Sequence, residues 1–411
     1  MGPLRLVPLG QIARLQYGLS AKSDPSGTRP IVGMQQISDG RVLLMGASKI
    51  SLSDADARGF LLHSGDVLFN RTNSADLVGK TGIVDTTDAA GAVFASYLVR
   101  ISADRNVYNN QFLNLWMNLP DSVARIRKLA TPGVSQYNVS PSRLAKYFFV
   151  PLLPLEKQQR VVRVLSCWDR RLDVVRNLIA TKRQLRRGLR QQLLTGKRRF
   201  PGTIDSDECQ LGPIGGIPAD WRLVRIEEIA QEVVERGAPH GTSVLSCTKH
   251  EGLVSSLVYF GRQVFSRSLD GYKAVRRGQM VYATNHIEEG SIGLLREADI
   301  GLVSPMYTVF APKDGVDPEF LFALLKTESY RRVFEARTNT SVNRRGSLRW
   351  RSFSKIQVGL PEPSEQRRIV DVLQRADAEI ALLERLLELL RLQRRGLLQR
   401  FLSGEAAGST K

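Results

Sequence analysis

A stretch of 39 residues occurs twice in this chain, 208 positions apart. Residues 158–196 and 366–404 align without a gap and share 15 identical positions, from Gln158/Gln366 to Gly196/Gly404. Any fold must therefore hold the same long element twice, each copy following a globular stretch.

The pattern within the repeat predicts what the element is. In the second copy the apolar residues fall on two seven-residue ladders: Ile369, Ala376, Leu383, Leu390, Leu397 and Leu373, Ile380, Leu387, Arg394, Phe401. Such spacing marks a coiled-coil seam. The same ladders in the first copy read Val161, Trp168, Val175, Lys182, Leu189 and Leu165, Leu172, Ile179, Arg186, Leu193. Arg186 and Arg394 occupy one repeat position, where a snorkelling arginine is the plain expectation. Pro154 and Pro363 stand before the helices and Gly196 and Gly404 after them, as start and stop signals. At ~1.5 Å per residue the repeat makes a rod of roughly 58 Å. The simplest partner for each seam is the other copy. An antiparallel pair would put a globular domain at each end of a rigid spacer.

The duplication reaches further, though more faintly. Leu6 to Ala13 resembles Leu223 to Ala230, Gly65–Leu68 resembles Gly278–Val281, Tyr97–Val99 resembles Tyr307–Val309, and Phe112-Leu113 matches Phe320-Leu321. The expected layout is a globular domain over 1–150, a helix over 151–199, a Gly/Pro-rich linker over 200–220, a second globular domain over 221–360, a second helix over 361–404 and a frayed tail over 405–411. Each globular part reads as mixed α/β (α+β), with short β-like runs between turn clusters and one helix near 111–129.

The formal net charge is +19, which points to a polyanionic partner, nucleic acid before membrane. The helices share it unequally. Residues 156–200 hold 14 Lys/Arg against 3 Asp/Glu, a net of +11, and residues 362–404 hold 8 against 7, a net of +1. Three cysteines without CxxC spacing argue for a reducing compartment. With no apolar signal core or 18-residue apolar run, the expected location is the cytoplasm and no membrane partner is expected.

Catalytic constellations are missing from the sequence. Gly79-Lys80-Thr81 ends like a P-loop, but Ser74 stands where its first glycine would fall, and no strand leads into it. There is no dinucleotide fingerprint, no NPPY- or DPPY-type segment, and no metal-ligand spacing among His63, His240, His250 and His286. No catalytic residue, bound cofactor or metal is therefore assigned, and a recognition component is expected rather than an enzyme. Each globular part does offer polar loops suited to base edges and phosphates. The candidates are Arg71, Thr72, Asn73, Gln136, Tyr137 and Asn138 in the first. In the second they are Asn285, His286, Asn339, Ser341, Asn343, Arg344 and Arg345.

The order of these parts resembles the specificity subunit of type I restriction–modification systems. The resemblance is carried by Pro363-Ser364-Glu365-Gln366-Arg367-Arg368-Ile369-Val370, Leu402-Ser403-Gly404, the entry Gly216-Ile217-Pro218-Ala219-Asp220-Trp221, and Gly65–Leu68. Two departures stand out: Lys157 replaces the glutamate found at Glu365, and the first domain lacks the G-x-I-P-x-x-W entry. The resemblance implies two target recognition domains, each reading one half of a split sequence in double-stranded DNA. It implies a helix pair that sets the spacing and docks two modification subunits, with restriction subunits able to join. S-adenosylmethionine and adenine methylation would belong to the modification subunits. A basic coiled-coil nucleic-acid adaptor outside restriction–modification is the alternative reading.

Overall fold

The computed structural model describes residues 5–84, 91–134, 136–201, 208–338 and 347–403. The chain divides into two compact units, residues 1–174 with 387–411 and residues 175–386.

The first unit is built on a six-stranded sheet ordered Ala13–Tyr17, Leu98–Ala103, Val67–Asn70, Thr81–Ile83, Arg41–Val42, Ile37–Ser38. Successive side chains of a strand point to opposite faces. Val67 and Phe69 accordingly enter one core with Phe112, Leu113, Ile126 and Leu144, while Leu68 enters another with Val32, Phe94 and Leu98. Both faces are covered, so this strand is buried throughout. The single helix expected near 111–129 is two helices, Asn110–Met117 and Pro120–Lys128. Pro120 has no N–H to continue the first helix and suits the first turn of the second. Leu6–Pro8 pairs antiparallel with Phe149–Pro151, which closes the globular part just before the long helix.

The second unit repeats the plan. Its four-stranded sheet runs Ala230–Val233, Tyr307–Pro312, Met280–Ala283, Ile292–Leu294. Met280 and Tyr282 face a core with Phe310, Phe320 and Phe353, and Val281 faces Val275 and Val303. Arg222–Arg225 pairs with Gln357–Leu360 before the second helix. The segment 200–220, expected as linker, carries a hairpin of Cys209–Gly212 with Gly215–Pro218. Ile217 and Trp221 are buried, and the Arg199 guanidinium joins Glu365 at 2.7 Å and Asp220 at 2.8 Å. Apolar anchors and a buried ion pair give this stretch a fixed place that its Gly/Pro content hides.

The long helices span Leu155–Leu194 and Pro363–Ser403. They run antiparallel in each unit. In the first unit Val161 and Leu165 share a core with Leu397, Leu398 and Phe401, and Arg394 donates to both carboxylate oxygens of Asp169 at 2.6 and 2.9 Å. In the second unit Lys182 meets Glu379 at 2.7 Å, and Arg186 donates through Nη2 to Asp377 at 2.9 Å and through Nε to the same carboxylate. Since 169 + 208 = 377 and 186 + 208 = 394, the two Asp–Arg bridges are one contact made twice. The recurrent arginine is thus a cross-helix ion pair, not a snorkelling one. Of the seam positions, Val161, Leu165, Leu172, Ile179, Ile369, Leu373, Ile380 and Leu387 are buried, and Val175, Leu383 and Leu390 are half-buried. Trp168 is half-buried too, with the Arg171 guanidinium 5.4 Å from its ring.

Candidate nucleic-acid interface

In the first unit two stretches paired across 64 and 66 positions of sequence become one surface. Thr72–Asn73 pairs with Tyr137–Asn138, and that strand pairs with Thr131–Pro132 in a three-stranded antiparallel sheet. Arg71, Thr72, Asn73, Tyr137 and Asn138 are therefore neighbours, and Gln136 is exposed in the connecting turn. The Val139 N–H donates to Arg71 O at 2.8 Å and fixes the return of the second stretch. The Arg71 guanidinium lies 5.1 Å from the ring centroid of half-exposed Tyr17, a cation–π contact that leaves the aromatic edge in solvent.

This junction also holds unmet hydrogen-bonding groups. Among the described residues ten buried side-chain polar atoms lack a partner, and five belong to Asn70, Arg71, Thr72 and Asn138. Buried polar groups are ordinarily paired, and unpaired ones mark a place where water or a ligand completes the set. Tyr17 was not singled out from the sequence, and Asn70 was read only as the start of the polar stretch 70–74, outside the candidate set. Asn70 ends a fully buried strand and looks like core, and Tyr17 joins the site only through sheet pairing with Val99.

The second unit places the equivalent turn at the end of Met280–Ala283. Thr284 Oγ donates to Met306 O at 3.1 Å, and the Leu348 N–H donates to Thr284 O at 2.9 Å, matching the Val139–Arg71 bond. Asn285 is half-buried and His286 exposed, with His286 Nδ1 3.2 Å from Glu289 Oε1. Lys326 supports the turn from below, donating to Gly290 O at 2.6 Å and Ile292 O at 3.1 Å, and burial pulls its ammonium below the usual lysine range. Ligand atoms of His286, Glu288 and Glu289 lie within 4.8 Å of one another, but Lys249 stands 3.9 Å from Glu289 and no further group completes a metal-binding set among the described residues. Asn339, Ser341, Asn343, Arg344 and Arg345 lie outside the described residues.

A family model described as the type I restriction modification DNA specificity domain matches residues 269–392, which include the second turn and most of the second helix. The chain is 22% identical over 331 residues to the type I restriction enzyme MjaVIII specificity subunit of Methanocaldococcus jannaschii, covering 76% of this chain and 71% of that one. These likenesses support a type I specificity subunit. A second relative from that organism, the putative MjaX specificity subunit, is 23% identical over 214 residues, and this chain spans about half of its length (49%). The fold is similar to that of the type I restriction–modification S subunit from M. genitalium, with a TM-score of 0.55 at 14% identity over 97% of this chain and 96% of that one. A chain from a structure of type I complex assembly and conformational transition gives 0.54 at 19% identity, over 98% of each. Specificity subunits are recognition components without a catalytic role. No helix among the described residues is long and apolar enough to cross a membrane.

Proposed function

We propose that each globular part of this specificity subunit reads one half of a bipartite sequence in double-stranded DNA through the surfaces at Arg71–Asn73 with Gln136–Asn138 and at Thr284–His286. The carrying observation is their equivalence: in both units the chain leaves a buried strand into a polar turn, and the segment before the last strand returns to bond that turn, at Arg71 O and at Thr284 O. Arg, Asn and Gln side chains suit base edges, while the surplus of basic residues supplies salt-dependent affinity for phosphates.

The helices carry the second part of the reading. Each unit exposes leucines on its share of the pair: Leu389 and Leu392 in the first, and Leu178, Leu185, Leu382 and Leu386 in the second. Apolar side chains bared on a helix already paired through its seam fit further helices from a partner. Two modification subunits would dock there, bringing S-adenosylmethionine and the methylation of adenine, with restriction subunits joining the same complex. The helix pair would hold the half-sites at a set distance.

Long-read mapping of adenine methylation in cells carrying this chain with its modification subunits tests the whole reading. A split motif with a fixed gap is expected. Methylation without a split motif, or none at all, would overturn it.

A further inference from the structure

Gln158 and Gln366 open the repeated stretch, and both are fully buried. Gln158 Oε1 accepts from the Asn109 N–H at 2.8 Å, and its Nε2 donates to Val107 O at 3.1 Å and Leu153 O at 2.8 Å. In the other unit Gln366 Oε1 accepts from the Asp317 N–H at 2.8 Å, and its Nε2 donates to Gly315 O at 3.2 Å and Pro361 O at 2.9 Å. Every partner is displaced by 208 positions: 107 to 315, 109 to 317, 153 to 361 and 158 to 366.

The partners say what the amide holds. Asn109 and Asp317 are the N-caps of Asn110–Met117 and Pro318–Leu325, helices that bury Phe112 and Phe320 in the globular cores. Leu153 and Pro361 stand two residues before the first residue of each long helix. One side chain therefore ties the entry of a core helix to the first turn of a long helix. Only a carboxamide can accept once and donate twice here, because a carboxylate has no donor and a hydroxyl has one. Neighbouring positions have diverged: Lys157 is exposed, whereas Glu365 is buried between Arg199 and Trp221. The three amide bonds persist in both copies across that divergence.

We infer that Gln158 and Gln366 are positioning residues that fix the attitude of each globular part on its own long helix, and through it the number of base pairs between the half-sites. This rests on the bipartite reading proposed above. A globular part that rocks on its helix carries its DNA-reading turn along the duplex, where ~3.4 Å is one base-pair step. Apolar burial is non-directional, while three directional bonds to backbone groups set an angle.

The test uses the full chain with its modification subunits and maps methylated motifs for Gln158→Met, Gln366→Met and the milder Gln158→Asn and Gln366→Asn, which keep the carboxamide but shorten its reach by one methylene. Ile126→Val, a core change away from the clamp, serves as control for stability. Both half-site sequences should be retained, and methylation of sites with the gap altered by one base pair should rise about tenfold over the parent, the worth of about one buried hydrogen bond. The control should leave the gap unchanged. If the methionine variants fail to fold, the asparagine variants decide on the same criterion. Folded glutamine variants that keep the parental gap would overturn the clamp and leave the bipartite reading standing, as would equal broadening in the control. A parent without a split motif would overturn both.

Discussion

Replacing Asp169 and Arg394 singly and together should reveal a coupling that the seam's apolar contacts do not provide. The pair is bidentate, with Nε and Nη2 at 2.6 and 2.9 Å from the two carboxylate oxygens. Its side chains retain 23% and 31% of their exposure, while those of the equivalent pair Arg186/Asp377 retain 36% and 49%. Exposed ion pairs are worth about 0.2–1 kcal/mol. Hydrogen bonds to charged groups in more sheltered places contribute about 1.5–3 kcal/mol. Asp169/Arg394 lies between these limits, so a coupling energy of about 1–2 kcal/mol is expected for it, and below about 1 kcal/mol for Arg186/Asp377. A double-mutant cycle to alanine, read by urea unfolding, measures both. The charge-swapped double variant Asp169→Arg with Arg394→Asp should recover most of what either reversal loses. Moderate salt should reduce the Arg186/Asp377 coupling more. A coupling near zero for Asp169/Arg394, or one smaller than for Arg186/Asp377, would refute the assignment of this contact as a built part of the seam.

Other consequences are as direct. Arg71→Ala should relax or weaken reading of one half-site and leave the other intact, which methylation mapping would reveal as a motif degenerate on one side only. Gly196 ends the first long helix at φ +69°, and a Cβ there would stand 2.4 Å from the Pro218 ring, so Gly196→Ala should cost well over the ~1 kcal/mol of the backbone conformation alone, seen as a lower urea midpoint. Hydrogen bonds from Arg199 hold the Asp220 carboxyl below its ordinary 3.8, so its stabilising contribution is complete above that pH and is lost as pH falls through the lowered value. The advantage of the parent over Asp220→Asn should be constant from neutral pH down to about 4 and shrink below it. Burial pushes the Cys247 thiol up to about 12 while Cys167 and Cys209 are exposed, so a thiol reagent at neutral pH should label two cysteines quickly and the third only on unfolding.

The parts legible in the sequence were those written in local periodicity. The seven-residue ladders marked both long helices and most of their buried residues, because a helix repeats its face every few positions. What the interruptions at Lys182, Arg186 and Arg394 meant was hidden, since Glu379, Asp377 and Asp169 face them only once the two helices pair. The same limit applied at the interface. Residues 70–74 and 131–138 each looked like a polar loop, and the sheet that joins strands from both depends on pairing across 66 and 64 positions, Asn138 with Thr72 and Tyr137 with Asn73. Gln158 and Gln366 could have been found by asking which polar residues recur at the 208 spacing, but their partners are backbone groups that no side-chain pattern announces.

The self-complementary Asp–Arg contact bears on how such chains change over time. Each bridge takes its acid from one copy of the repeat and its base from the other. A crossover between the two helix segments, or between one of them and the same segment in a related chain, would return a seam in which every arginine still finds its aspartate. The globular part carried along by the exchange would arrive on a fitted helix. Recombination could thus replace half of what the chain reads in a single event, while point substitution would have to rebuild a recognition surface residue by residue.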